Sequence, residues 1–222
     1  SGTFLIEYMK FITENMKYRN QNSDGYNAAL GTARSVKDKV LSDWFYPTHR
    51  ENKWAQTYIY GSEINFNLGT AAKVNMILHG DGSTNIFVKD GLLPFAKYEK
   101  ETSPNAMKGS RKDELYQNRE VNGQFDLILT NPPFSVELDN DTKKTVKKDF
   151  MFGEKKNSEN LFIERWYQLL RENGRLAAVL PENVFDTTEN NYIRLFLYKY
   201  FKIKAVISLP QITFEPYTST KT

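Results

Sequence analysis

Short apolar runs that alternate with helix-patterned stretches constrain this chain more than any other feature. "TYIYGSEI" (57–64), "TNIFVKDG" (84–91), "QFDLILTN" (124–131), "RLAAVLP" (175–181) and "IKAVISLP" (203–210) read as strands. Residues 68–80, 160–174 and 192–201 carry apolar side chains at helical spacing, and the first two stretches end at Gly80 and Gly174. A helix is predicted over 3–18, with Phe4, Leu5, Tyr8, Phe11, Ile12 and Met16 at helical spacing, and another over 33–45, before Pro47. Strands that are apolar throughout, rather than at every second position, must be buried on both faces. A parallel sheet covered by helices supplies that burial. The predicted class is α/β, doubly wound, in one domain over 1–222, with polar insertions at about 20–55, 97–123 and 137–159.

Composition narrows the chemistry. A chain of 222 residues with 40% hydrophobic content can bury a substantial core. The absence of cysteine excludes disulfides and Cys-ligated zinc, and two histidines leave little room for a His-based metal site. A net charge of +3 permits a polyanionic partner without demanding one. No apolar run reaches the roughly 18 residues that span a bilayer, and "SGTFLIE" lacks the basic flank and apolar core of a signal peptide. The expected setting is cytoplasmic, with no membrane. The chain opens without an initiator methionine and reads as a segment of a larger protein.

In doubly wound sheets ligands bind beyond the carboxyl ends of the strands. Three predicted strands end there in polar residues: Glu63 in "GSEIN", Asp90 in "KDG" and Asn131 in "NPPF". An acid ending the second strand of such a sheet suits a ribose diol, because a carboxylate accepts two hydroxyl hydrogen bonds. Glu63 alone reads equally well as a solvated strand-end acid, and "DG" is a common turn pair. The unit Asn131-Pro132-Pro133-Phe134 carries more. Two prolines fix φ and remove two N–H donors, so the chain steps rigidly off the strand. The carbonyls of Thr130, Asn131 and Pro132 are expected to be free acceptors, the Asn131 amide adds another, and Phe134 offers a stacking face. This notch suits a planar molecule with an exocyclic amino group. A strand followed by a plain proline turn is the other reading.

"NPPF" after an apolar strand resembles the catalytic motif of S-adenosylmethionine-dependent amino-group methyltransferases, chiefly those acting on adenine N6 in DNA. The ordered blocks "SGTFLIE", "YGSEIN", "AAKVNMILHGDGSTNIF", "FDLILTNPPF", "GRLAAVLPENVF" and "AVISLPQITFEPYTSTKT" resemble the modification subunit of type I restriction systems. The resemblance implies a Rossmann-like methyltransferase fold, lacking here the first strand before Ser1 and the closing strand after Thr222. It matches Ser1, Gly2 and Thr3 to the end of the glycine-rich loop beneath the methionine part of S-adenosylmethionine. Glu63 matches the ribose-binding acid, Asp90 the acid at the cofactor adenine, and Asn131, Pro132, Pro133 and Phe134 the catalytic tetrapeptide. The implied partners are double-stranded DNA, a specificity subunit, a second modification subunit and a restriction subunit. Other readings are a stand-alone methyltransferase of DNA, RNA or protein glutamine, and a catalytically incomplete assembly or DNA-binding fragment. Residues 142–156 carry six lysines against Asp149 and Glu154, or 6 − 2 = +4, which fits either phosphate contact or a solvated mobile loop.

Overall fold

The computed structural model describes residues 2–21, 52–80, 85–98, 108–134, 136, 138–155 and 157–214. The helix predicted over 33–45 and Ser1 lie outside the described residues. The chain divides into two compact units, Ser1–Gly91 and Leu92–Thr222.

In the first unit, helix α1 runs Thr3–Gln21, α2 Lys53–Tyr58 and α3 Phe66–Leu78. Strands β1 (Gly61–Ser62) and β2 (Ile86–Phe87) pair in parallel, with Gly61 opposite Ile86 and Ser62 opposite Phe87. Most of the run predicted as a strand over 57–64 is therefore not strand. Lys53–Tyr58 coils instead, because Trp54 and Ala55 bury against Ile6, Met9, Ile59, Ala72, Met76 and Ile86. Burial on this scale, worth roughly 1.5–3 kcal/mol per large side chain, outweighs the β-preference of Thr57 and Tyr58, while Ile59 is already extended. Helix α3 starts where Asn65 accepts from the Leu68 N–H at 3.0 Å, capping an otherwise orphaned donor.

The second unit begins with α4 (Phe95–Tyr98). A hairpin follows, β3 (Arg111–Asp113) antiparallel to β4 (Arg119–Val121), with Gln117 and Asn118 at φ 54° and 55° in its turn. This hairpin lies inside the stretch predicted as a loop over 97–123. Strand β5 (Phe125–Thr130), helix α5 (Asn140–Asp149), helix α6 (Ser158–Leu169), strand β6 (Leu170–Ala178), the short helix α7 (Asn183–Asp186) and α8 (Asn191–Tyr200) complete the unit, with 3₁₀ turns at Thr188–Asn190 and Gln211–Phe214. β5 and β6 run parallel, from Leu127 opposite Arg175 to Thr130 opposite Ala178. Helix α6 stops at Leu169, short of the predicted stop at Gly174. Asn173 takes φ 61° inside β6, in the irregular stretch between the Phe125–Leu170 and Leu127–Arg175 pairs.

The described residues therefore form a mixed α/β structure of three two-stranded sheets, two of them parallel. Residues 203–210, predicted as a strand, are not one: no strand among the described residues pairs with them, and Ile203, Val206 and Ile207 are exposed. An apolar run becomes a strand only where another backbone meets its N–H and C=O groups. The core of this unit gathers Ile163, Trp166, Val184, Ile193 and Phe196, and a second cluster joins Leu92, Val146, Phe150 and Leu161.

Candidate functional site

Parallel pairing of β1 with β2 brings two predicted site residues to one edge. Glu63 follows Ser62 directly, and its N–H donates to the Phe87 carbonyl at 2.9 Å. Asp90 lies three residues beyond Phe87. The two strands are tied further by the Ser62 hydroxyl, which donates to the Lys89 carbonyl at 2.9 Å. Both acids are half-buried. One Glu63 carboxylate oxygen, Oε1, accepts from the Asn65 N–H at 2.9 Å, and Oε2 has no partner among the described residues.

Gly2 and Thr3 open helix α1. The Gly2 carbonyl accepts from the Ile6 N–H at 3.0 Å, and Gly2 has φ +81°. A Cβ at Gly2 would lie 3.3 Å from the Ala72 Cβ on α3, so the chain passes close to that helix at a backbone angle that favours glycine. Thr3 is exposed.

Asn131, Pro132, Pro133 and Phe134 belong to the second unit and step off the end of β5. Asn131 and Pro133 are exposed, Pro132 is buried and Phe134 is half-buried. The buried proline pins the step while the amide on one side and the ring on the other keep solvent-facing surface. One expected acceptor is taken: the Thr130 carbonyl receives the Val179 N–H at 3.0 Å, because β6 runs on past its last strand residue. The Asn131 and Pro132 carbonyls and the Asn131 amide accept no hydrogen bond among the described residues. The notch is thus narrower than expected, with acceptors on Asn131 and Pro132 alone.

The sequence reading missed a buried polar cluster behind this strand. Glu164 on α6 is fully buried, and its carboxylate accepts from the Tyr116 hydroxyl, from the Met151 N–H and, at 3.0 Å, from the Phe152 N–H. Burial pushes the Glu164 carboxyl up to about 7, against the Met151 and Phe152 N–H groups and the Arg165 charge, which hold it down. Gln168 donates to the Tyr116 hydroxyl at 3.0 Å. Arg165, also buried, donates to the Leu92 and Leu93 carbonyls at 3.2 and 2.8 Å and lies over the Phe95 and Phe150 rings, 4.6 and 4.7 Å from their centroids. The signal was present: Leu161, Glu164, Arg165 and Gln168 fall at i, i+3, i+4 and i+7, on the stripe a helix buries.

Among the described residues there is no cluster of acids and histidines fit to hold a metal ion, and no helix long and apolar enough to cross a membrane.

Comparison with known proteins adds an independent line. A family model described as N-6 DNA Methylase matches residues 1–222. The chain is 25% identical over 185 residues to the type I restriction enzyme EcoEI methylase subunit of Escherichia coli, covering 82% of this chain and 32% of that protein. It is 28% identical over 162 residues to the type II restriction enzyme and methyltransferase RM.BcgI of Heyndrickxia coagulans, covering 72% of this chain and 20% of that protein. It is 24% identical over 201 residues to the type I restriction enzyme MpnII methylase subunit of Mycoplasma pneumoniae, covering 86% of this chain and 33% of that protein. The chain thus spans a third or less of the length of each of these curated relatives. The family match runs the whole length of the chain and includes every strand-end residue described above, so the chain belongs to the N-6 DNA methylase family.

Proposed function

We propose that this chain is the catalytic domain of a site-specific DNA adenine-N6 methyltransferase, acting as the modification subunit of a type I restriction system. The observation that carries the reading is the strand-end notch. Asn131 is solvent-facing, Pro132 is buried, the Asn131 and Pro132 carbonyls are unclaimed among the described residues, and Phe134 stands beside them. The family match and the likeness to two type I methylase subunits support the setting.

The target N6 is buried in a base stack, so the adenine is flipped out, at a cost of a few kcal/mol. Phe134 stacks on the flipped base. The Asn131 side-chain oxygen and the Pro132 carbonyl accept hydrogen bonds from the two N6–H groups. Holding those protons draws the nitrogen lone pair out of conjugation with the ring and aims it at the methyl donor. The prolines supply rigidity: neither can rotate φ, so the acceptors stay in place and positioning contributes most of the rate. The cofactor, S-adenosylmethionine, supplies an electrophilic sulfonium methyl. Glu63 and Asp90 suit its adenosine half. They are two half-buried acids at one edge, and Oε2 of Glu63, which has no partner among the described residues, is an acceptor for a ribose hydroxyl. Gly2 and Thr3, where α1 begins, are assigned with Ser1 to its methionine half. No cysteine is present, so the cytosine-C5 route, which needs a Cys nucleophile, is closed to this chain.

The same reading gives the chain a doubly wound, Rossmann-like methyltransferase fold in one domain, a cytoplasmic setting, and double-stranded DNA, specificity, second modification and restriction subunits as partners. The test is acceptor choice. The full-length protein, assembled with its partner subunits, is incubated with labelled S-adenosylmethionine and duplex DNA, RNA or protein, and the DNA is digested to nucleosides. Label in N6-methyladenine is the expected result. Label only in RNA or in protein glutamine would overturn the assignment.

A further inference from the structure

Residues 137–159 were expected as a polar loop, but 140–149 form helix α5, held at both ends. At its start, Asp139 accepts from the Asp141 N–H at 2.9 Å, the Thr142 N–H at 3.0 Å and the Thr142 hydroxyl at 2.6 Å. Past its end, the Met151 and Phe152 N–H groups are tied to the buried Glu164 carboxylate. The turn there folds back tightly on α5: a Cβ at Gly153 would meet the Val146 carbonyl oxygen at 2.2 Å and the Lys147 Cα at 2.7 Å. One face of the helix is sunk through Thr142 and Val146, 5% and 1% exposed.

The opposite face carries Lys143, Lys144, Lys147 and Lys148, all exposed. At about 100° per residue they occupy one arc of roughly 140°, pointing away from Thr142 and Val146. Helix stability explains only part of this arrangement, since the dipole favours Lys147 and Lys148 in the last turn and no other lysine of the row. Lys143–Lys147 and Lys144–Lys148 are like-charge i, i+4 pairs, which destabilise a helix. Lys143 and Lys144 also lie near the N-terminal end, where the backbone dipole favours acids. Only Lys144 and Lys147 pair with carboxylates among the described residues, Asp141 at 3.6 Å and Glu154 at 3.2 Å, and both pairs are solvent-exposed. A rigid, anchored, self-repelling row of cations is relieved by a polyanion. The row is also tethered close to the notch. Asp139, just before the helix, is eight positions after Asn131, which bounds the separation of their Cα atoms at about 30 Å.

We propose that the lysine face of α5 is a footing for the DNA phosphate backbone beside the flipped adenine. The inference rests on the reading of double-stranded DNA as substrate. Contacts of this kind fix position and supply affinity, and they carry no base information.

The test compares full-length assembled enzyme with two variants: Lys143→Gln/Lys144→Gln/Lys147→Gln/Lys148→Gln, and the same four positions changed to Arg. Binding to a duplex with the target site and to a scrambled duplex is followed by fluorescence anisotropy across salt. Each phosphate contact contributes about 0.9 to the slope of log Kobs against log salt. The Gln variant should lose roughly 2 to 4 from the magnitude of that slope, by the same amount on both duplexes, without a lower melting temperature. The Arg variant should keep it. An unchanged slope in the Gln variant, or an equal loss in the Arg variant, overturns the inference while leaving the substrate reading intact. No duplex binding by the unsubstituted enzyme overturns both.

Discussion

Glu164 gives a prediction with a sign and a size. Its carboxyl is fully buried, and burial raises it from an ordinary 4.5 to about 7. Between those values the folded chain holds a proton that the unfolded chain has released, so the folded state binds more protons and stability must fall as pH rises. The contribution is fully present below about pH 4.5 and is lost progressively as pH climbs through about 7. At about 1.4 kcal/mol per pH unit, the interval from 4.5 to about 7 corresponds to a loss on the order of 3 kcal/mol. Other groups titrate over the same range, so the quantity to measure is a difference. Urea unfolding of the wild type and of Glu164→Gln, followed by tryptophan fluorescence from pH 4 to 8, isolates Glu164, because Gln does not titrate. The wild-type stability minus that of the variant should decline by about 3 kcal/mol across the range and level off above pH 7. A difference that is flat, or that grows with pH, would refute the reasoning. It would mean that Tyr116, Met151 and Phe152 hold the carboxylate ionised despite its burial.

Three further outcomes follow from other parts of the structure. Gly153→Ala drives a Cβ into the Val146 and Lys147 backbone, which a flexible side chain cannot relieve, and should cost about 1–3 kcal/mol in thermal unfolding. Phe134→Ala removes the stacking face and should weaken DNA binding by roughly 1–3 kcal/mol, while Phe134→Trp retains most of the affinity. Glu63→Gln leaves an amide where the ribose acceptor is proposed, and should weaken S-adenosylmethionine binding in calorimetry by about tenfold or more without altering DNA affinity.

The parts legible in the sequence were those with rigid local chemistry. Two prolines after an apolar run mark the end of β5 at Thr130 whatever the rest of the chain does, and Gly80 marks the stop just past α3, whose start at Asn65–Phe66 was not read. Parts that depend on tertiary partners were not legible. The Thr130 carbonyl looked free because only the register of β6 reveals that Val179 reaches it. Residues 203–210 read as a strand because apolar runs report burial, not pairing. Helix α5 was hidden because it buries only Thr142 and Val146, and ten residues with four lysines resemble a loop. Glu164 and Arg165 look like a solvated pair in isolation. They are buried because Tyr116, the 151–152 turn and the Leu92–Leu93 carbonyls supply partners from distant segments.

The central claim is that Asn131 and Pro132 accept hydrogen bonds from the N6–H groups of an adenine at the moment of methyl transfer. Single-turnover methylation of a target duplex by the full-length assembled enzyme, wild type against Asn131→Ala, tests it most directly when paired with S-adenosylmethionine binding on the same samples. The account predicts a loss of transfer of about 10²-fold or more in Asn131→Ala, with cofactor affinity nearly unchanged. Transfer by Asn131→Ala at close to the wild-type rate would contradict it.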